Sequence, residues 1–175
     1  MSFAETLLAE FEQEARTTRK FLERLPEHQL AWKPHEKSMS AGQLALHIAV
    51  APGQVVQIAR QDSIPVPNFD RENPQPASLK EILDALDASI DHVRQILPAF
   101  TDEQLQHMWR MQRDGRDVFA VPRAVMLRNI LLNHWYHHRG QFGVYLRLVG
   151  AQVPSAYGPS GDELPEFLKK QAVMG

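Results

Sequence analysis

Cysteine is absent from the 175 residues. That removes disulfides, thiol nucleophiles and thiolate-bound metals together, so any metal must be held by histidine, carboxylate or water. A surplus of either charge is missing too. The chain has 19 Lys and Arg against 21 Asp and Glu, for a formal charge of −2 and a pI near 6.4. This balance leaves no electrostatic footprint for a polyanion, so no nucleic-acid partner is expected. Apolar runs never approach the roughly 20 residues of a membrane span, and no membrane partner is expected. The opening Met1-Ser2-Phe3-Ala4-Glu5 lacks the basic start and apolar core of a secretion signal, which points to a cytoplasmic protein.

What is present reads as one domain over residues 1–175. Apolar residues recur at helical spacing from Ser2 to Leu25, with Ser2 and Glu5 as a capping box and Pro26 as a stop. A second helix is expected from Ser40 to about Gln61, capped by Ser40 with Gln43. Leu44, His47, Ala51, Gln54 and Ile58 fall on one side of it, read as the buried side. Pro52 cannot donate to the Ile48 carbonyl, so a kink or break is expected there. Residues 62–77 carry four prolines and read as a long loop, functional or mobile. Ser78 with Glu81 opens a third helix that Pro98 ends, and Thr101 with Gln104 caps a short turn. Alternation from Gln106 to Val121 around Asp114-Gly115 predicts a β-hairpin. A fourth helix runs from Pro122 to about Leu148 with Gly150 just past its end. A packed tail follows, with a short amphipathic run near Glu163 to Gln171. The fold class is therefore all-α: a four-helix bundle with a small hairpin inserted between the third and fourth helices.

Eight histidines are available, and three of them cluster in the fourth helix at His134, His137 and His138. Set His134 at zero and allow about 100° per residue. Leu127, Ile130, Leu131, Tyr145 and Leu148 then fall within about 60° of it, defining the apolar face. His138 falls inside that face and His137 on its edge, while Arg128, Arg139 and Arg147 take the far side. Two imidazoles stacked i and i+4 toward a core demand an explanation, because a buried unpaired imidazole costs roughly 1–3 kcal/mol. A metal removes the difficulty, since neutral imidazole is the form it requires. His47 on the second helix offers a third ligand, and three imidazoles leave one or more positions open for water or substrate. A lone core histidine is more often hydrogen-bonded than metal-bound; the set of three carries the argument. His28, His35, His92 and His107 sit in polar contexts and read as solvated. Asp87 and Asp91 read as a solvated face, and Trp32, Trp109, Trp135 and Tyr136 as core or interface aromatics.

Three stretches together resemble the DinB family of the DinB/YfiT-like superfamily. The first is Leu30-Ala31-Trp32-Lys33-Pro34 followed by Ser38-Met39-Ser40 and Leu46-His47-Ile48-Ala49. The second is His134-x-x-x-His138-Arg139-Gly140-Gln141. The third is Val153-Pro154, Tyr157-Gly158-Pro159-Ser160 and Asp162-Glu163. The resemblance implies a four-helix bundle, commonly a homodimer, with a divalent metal, nickel or zinc, on His47, His134 and His138. Characterised relatives include thiol-S-transferases that use bacillithiol, glutathione or mycothiol, and a thiol-dependent maleylpyruvate isomerase.

The leading expectation is thus a metal-dependent transferase or hydrolase acting on a small molecule. The ion would activate water or a low-molecular-weight thiol supplied from outside, since the chain has no thiol of its own. Arg139 at the rim and Gln141 one turn beyond His138 are the candidate catalytic or substrate-contacting residues. The alternatives are a dimeric helical module whose metal is structural, and a small-molecule-binding bundle with an empty histidine pocket.

Overall fold

The computed structural model describes residues 2–68 and 73–172. Of the expected 62–77 loop, residues 69–72 therefore lie outside the described residues, as do Met1 and the last three residues of the tail.

Helix α1 spans Phe3–Leu22 and α2 spans Ala41–Ala59, each opened by the expected capping box. At α2 the Ser40 hydroxyl accepts from the Gln43 N–H at 3.0 Å, and the Gln43 side chain accepts from the Ser40 N–H at 2.9 Å. Part of the proline-rich loop is fastened to this helix start. Gln75 accepts from the Ser40 hydroxyl at 2.6 Å, and the Gln43 amide donates to the Asn73 carbonyl at 2.7 Å. Helix α3 spans Leu79–Ile96. Ser78 caps it, but the Glu81 carboxylate reaches back to the Ala77 N–H at 2.7 Å rather than to Ser78. The short α4, Asp102–Gln106, carries the Thr101/Gln104 box.

The hairpin is present as β2, Met108–Arg113, and β3, Arg116–Pro122. Asp114 (φ 51°) and Gly115 (φ 73°) form its turn in the left-handed region, which Asp-Gly tolerates well. A third strand was not expected. Residues Ser63–Pro65, read as loop, form β1 and pair in parallel with β2, Ile64 opposite Met111. Pro65 is tolerated because the strand lies at a sheet edge.

One continuous helical run follows, made of α5 (Arg123–Met126), a π-helical stretch (Leu127–Asn133) and α6 (His134–Leu148). Gly150 (φ 76°) ends it, its N–H bonded to the Arg147 carbonyl and that of Ala151 to the Leu146 carbonyl, a Schellman closure. The tail ends in α7, Glu166–Ala172. Helices α1, α2, α3 and the α5–α6 run enclose a core that includes Phe11, Leu44, Ile48, Leu86, Trp135 and Phe142.

Pro52 does not break α2, which continues to Ala59. The main-chain groups it disturbs find partners on neighbouring helices. The Ile48 carbonyl, which Pro52 cannot serve, accepts the indole N–H of Trp135 at 2.8 Å. The Gly53 N–H donates to the Ser89 hydroxyl of α3 at 2.7 Å. Gly53 also permits that close approach, because a Cβ there would stand 3.1 Å from the Ser89 Cα.

Candidate metal centre

Helix α2 is buried on nearly every side, and its open stripe is His47, Val50, Gln54, Gln57 and Ile58. His47 therefore faces a seam rather than the core; of the stripe expected to be buried, Leu44 and Ala51 are, while His47, Gln54 and Ile58 are not. His134 and His138 meet it there from α6. The ring centroids of His47 lie 5.4 Å from those of His134 and 4.6 Å from those of His138, with the planes nearly perpendicular. One nitrogen from each ring lies within 4.8 Å of the other two. The three expected ligands are thus brought together, and all three are half-buried.

The hydrogen bonding fixes much of the chemistry. Gln141 Oε1 lies 3.0 Å from His138 Nδ1, and an amide oxygen can only accept, so that contact places the proton on Nδ1. His138 Nε2 is then a lone pair. It stands 2.9 Å from Nε2 of His134, which must be the donor in the metal-free protein. His134 Nδ1 is left buried without a hydrogen-bond partner among the described residues. The network is therefore incomplete by itself. Burial and mutual proximity push the imidazoles toward the neutral form. His47 is lowered to about 4, first by desolvation and then by its two neighbours, and desolvation also lowers His134 and His138. Three neutral imidazoles with facing nitrogens are a donor set suited to a divalent first-row cation, whose bonds run about 2.0–2.1 Å. No fourth His, Asp or Glu joins the group among the described residues.

The remaining site expectations divide. Gln141 sits against His138, as above. Arg139 is not at a rim. It is 3% exposed and turned toward α1, where its guanidinium pairs with Glu14 at 2.6 Å and donates to Thr18 at 3.2 Å and to the Tyr157 hydroxyl at 2.6 Å. It also lies over the rings of Tyr136 and Tyr157, at 5.3 and 5.2 Å. The error came from the wheel, which ran the α-helical step through Leu127–Asn133. A π-helix turns roughly 15° less per residue, so across that stretch the phase slips by about 100°. Leu127 and Leu131 then share a face with Trp135, Arg139, Phe142 and Leu146, all buried, while Leu148 is 58% exposed. The histidines flank that face. His137 is exposed and packs beside His138 with centroids 5.1 Å apart. His28, His35, His92 and His107 are exposed, as expected. Asp87 pairs with Arg19 and Asp91 with Arg94 on an exposed face.

Sequence reasoning missed Glu14 and Tyr157, which hold Arg139. The signal available was Glu10 and Glu14 one turn apart on the inward side of α1. It also missed the groove of about 610 Å³ between α2 and α3, which begins one turn from His47 and includes Val50, Gln54, Ala85 and His92.

The DinB family model matches residues 1–166. The uncharacterized protein YrdA of Bacillus subtilis (strain 168) is 30% identical over 161 residues, covering 91% of each chain. A solved DinB-like protein from Bacillus cereus ATCC 10987 is 26% identical, with a TM-score of 0.68 over 87% of this chain and 97% of its own. A second, YjoA from Bacillus subtilis, shares the fold at 22% identity and a TM-score of 0.65, covering 93% and 97%. No helix of the described residues is long and apolar enough to cross a membrane.

Proposed function

The chain belongs to the DinB family, and on that premise we propose that it is a metal-dependent transferase or hydrolase, with a divalent cation, nickel or zinc, held by His47, His134 and His138. The observation that carries this reading is the meeting of three neutral imidazoles from two helices with no fourth protein ligand among the described residues. A structural site closes its coordination with protein, whereas a catalytic site keeps a position open. When bound, such an ion supplies Lewis acidity that lowers the pKa of a water or a small thiol.

The chain's own residues prepare that chemistry. Gln141 holds the His138 proton on Nδ1 and presents the Nε2 lone pair. Desolvation keeps the three rings neutral, so no proton competes for the site near neutral pH. The seam at α2 leaves the centre accessible to a small molecule. Because the chain lacks cysteine, a thiol nucleophile must arrive as a cosubstrate, and a low-molecular-weight thiol is the class proposed. Arg139 belongs to the packing of α6 on α1 and not to the chemistry, given its burial there. A homodimer is part of the same reading.

The test combines metal analysis with turnover. Purified protein is expected to bind about one nickel or zinc per chain, and His134→Ala to lose both the metal and thiol-transfer or hydrolytic activity. A wild-type protein that takes up neither ion after dialysis, or a His134→Ala variant that keeps full affinity, defeats the reading. Sedimentation equilibrium checks the homodimer; a monomer at every concentration removes that part.

A further inference from the structure

The indole N–H of Trp135 bonds to the Ile48 carbonyl at 2.8 Å. Each partner is the residue immediately after a candidate ligand: Trp135 follows His134, and Ile48 follows His47. In an ordinary α-helix the carbonyl of Ile48 would be used by the N–H of residue 52. Residue 52 is proline and has no N–H, while the next donor, Gly53, is turned to Ser89 at 2.7 Å. The helix has thus released one main-chain acceptor on the side that faces α6, beside a ligand. Both groups are buried: Ile48 is 1% exposed and Trp135 is 1% exposed. Phe11 stacks on the indole with centroids 5.1 Å apart and an interplanar angle of 19°, which fixes the ring's plane and hence the direction of its N–H.

We propose that Pro52, the Ile48 carbonyl and Trp135 form a positioning device that sets the register of α2 against α6 and so the spacing of His47 from His134 and His138. The inference rests on the metal-site reading above and adds to it residues that touch no ion. A directional bond between two helices fixes sliding along their axes, which apolar packing alone restrains weakly. A slip of even an ångström at this bond carries to the imidazoles, because each tie group belongs to the residue next to a ligand on the same helix. Proline at position 52 is then explained by function. It keeps the Ile48 acceptor free of its own helix, at no cost in unsatisfied groups, because the indole takes the vacancy.

The test uses the full chain with three variants. Trp135→Phe keeps a ring against Phe11 but removes the donor. Pro52→Ala leaves Trp135 in place and restores a main-chain donor to Ile48. The double variant, Trp135→Phe with Pro52→Ala, satisfies the carbonyl from within α2 yet lacks the tie. Nickel or zinc affinity is measured by competition, the ligand field by the cobalt(II) absorption spectrum, and folding by urea denaturation. Removing a group that orients metal ligands typically weakens affinity about 10–100-fold. Trp135→Phe is expected to lose about tenfold and to change its cobalt(II) bands.

The double variant decides the matter. If it regains stability but keeps the weakened affinity and altered spectrum, the tie positions the ligands. If it regains affinity and spectrum along with stability, the effect was structural and the proposal is overturned. Unchanged affinity and spectrum in a folded Trp135→Phe variant overturn it as well, with the metal-site reading intact. A wild-type protein that binds none of the ions overturns both. Should Trp135→Phe fail to fold, Pro52→Ala alone still decides: competition for the Ile48 carbonyl must alter the cobalt(II) spectrum, and an unaltered spectrum refutes the device.

Discussion

Replacing Glu14 with glutamine removes one charge from a pair that water hardly reaches. The Glu14 and Arg139 side chains are 6% and 3% exposed, and their closest atoms are 2.6 Å apart. Glu14 also accepts the Tyr157 hydroxyl at 2.9 Å, which ties the C-terminal tail to α1. Glutamine keeps the size but leaves the guanidinium without a counter-charge in a low-dielectric setting. Breaking a buried pair on one side costs about 3–5 kcal/mol. Arg139 retains the Glu14 carbonyl at 3.3 Å, the Thr18 hydroxyl and two ring faces, so the lower end of that range is the expected value. For a domain of this length each kcal/mol moves the melting temperature by about 2–4 °C, so Glu14→Gln should melt roughly 6–12 °C lower.

Urea denaturation and calorimetry on metal-free protein measure this. The double variant Glu14→Gln with Arg139→Met replaces the pair by a neutral, apolar contact and should recover at least half the loss, because no orphaned charge remains. Metal affinity should be unchanged in the folded Glu14→Gln protein, since Arg139 points to α1 and the imidazoles to α2. A loss under about 1 kcal/mol refutes the claim that this pair is electrostatically isolated. Unchanged stability with lost activity would instead return Arg139 to the reaction.

Two further outcomes follow from the same geometry. His47 sits near 4 when folded against 6.5 for a free imidazole, so between those values the unfolded chain binds more protons and metal-free stability rises with pH. The loss on going from pH 7.5 to 4.5 is bounded at about 3 kcal/mol for this residue and is smaller in practice because the ring is only half-buried; urea midpoints of the wild type and His47→Asn should converge at low pH, and parallel pH profiles contradict the reading. Gln141→Leu removes the acceptor for His138 Nδ1 and should weaken zinc or nickel binding about 10–100-fold with little change in melting temperature, whereas equal affinity in isothermal titration means Gln141 does not orient the ring.

The helix starts and the hairpin were legible because each rests on local chemistry. Ser2, Ser40, Ser78 and Thr101 cap helices through bonds that span three residues, and Asp114-Gly115 sets its own turn. The His134–His138 pair was legible because i, i+4 spacing within α6 is also local, whereas His47 comes from α2 and joins them only through tertiary packing. Strand β1 was not, since Ser63–Pro65 has no alternation and is strand only by pairing with Met108–Arg113 far along the chain. Pro52 reads as a kink or break from sequence because the rule that proline leaves an unsatisfied carbonyl is local, whereas the indole that satisfies it comes from another helix.

The π-helical stretch explains how one helix serves both a core and the three-histidine cluster. Upstream, Leu127 and Leu131 must face inward; downstream, Trp135, Phe142 and Leu146 must do so as well. At α-helical pitch those two sets lie about 60° apart around the axis. A straight α-helix centred on the upstream leucines would swing His134 and His138 into the core and turn Trp135 to the edge of the buried face, away from its bond to Ile48. The slower turn of Leu127–Asn133 removes that conflict immediately before His134. The apolar sets merge on one face, and the two imidazoles are delivered to its flank, where His47 stands on the open stripe of α2. The irregularity in each helix, proline in one and π-turn in the other, thus solves a separate half of one geometric problem: the first frees an acceptor between the helices, and the second turns the Trp135 indole toward it and the His134 and His138 rings toward His47.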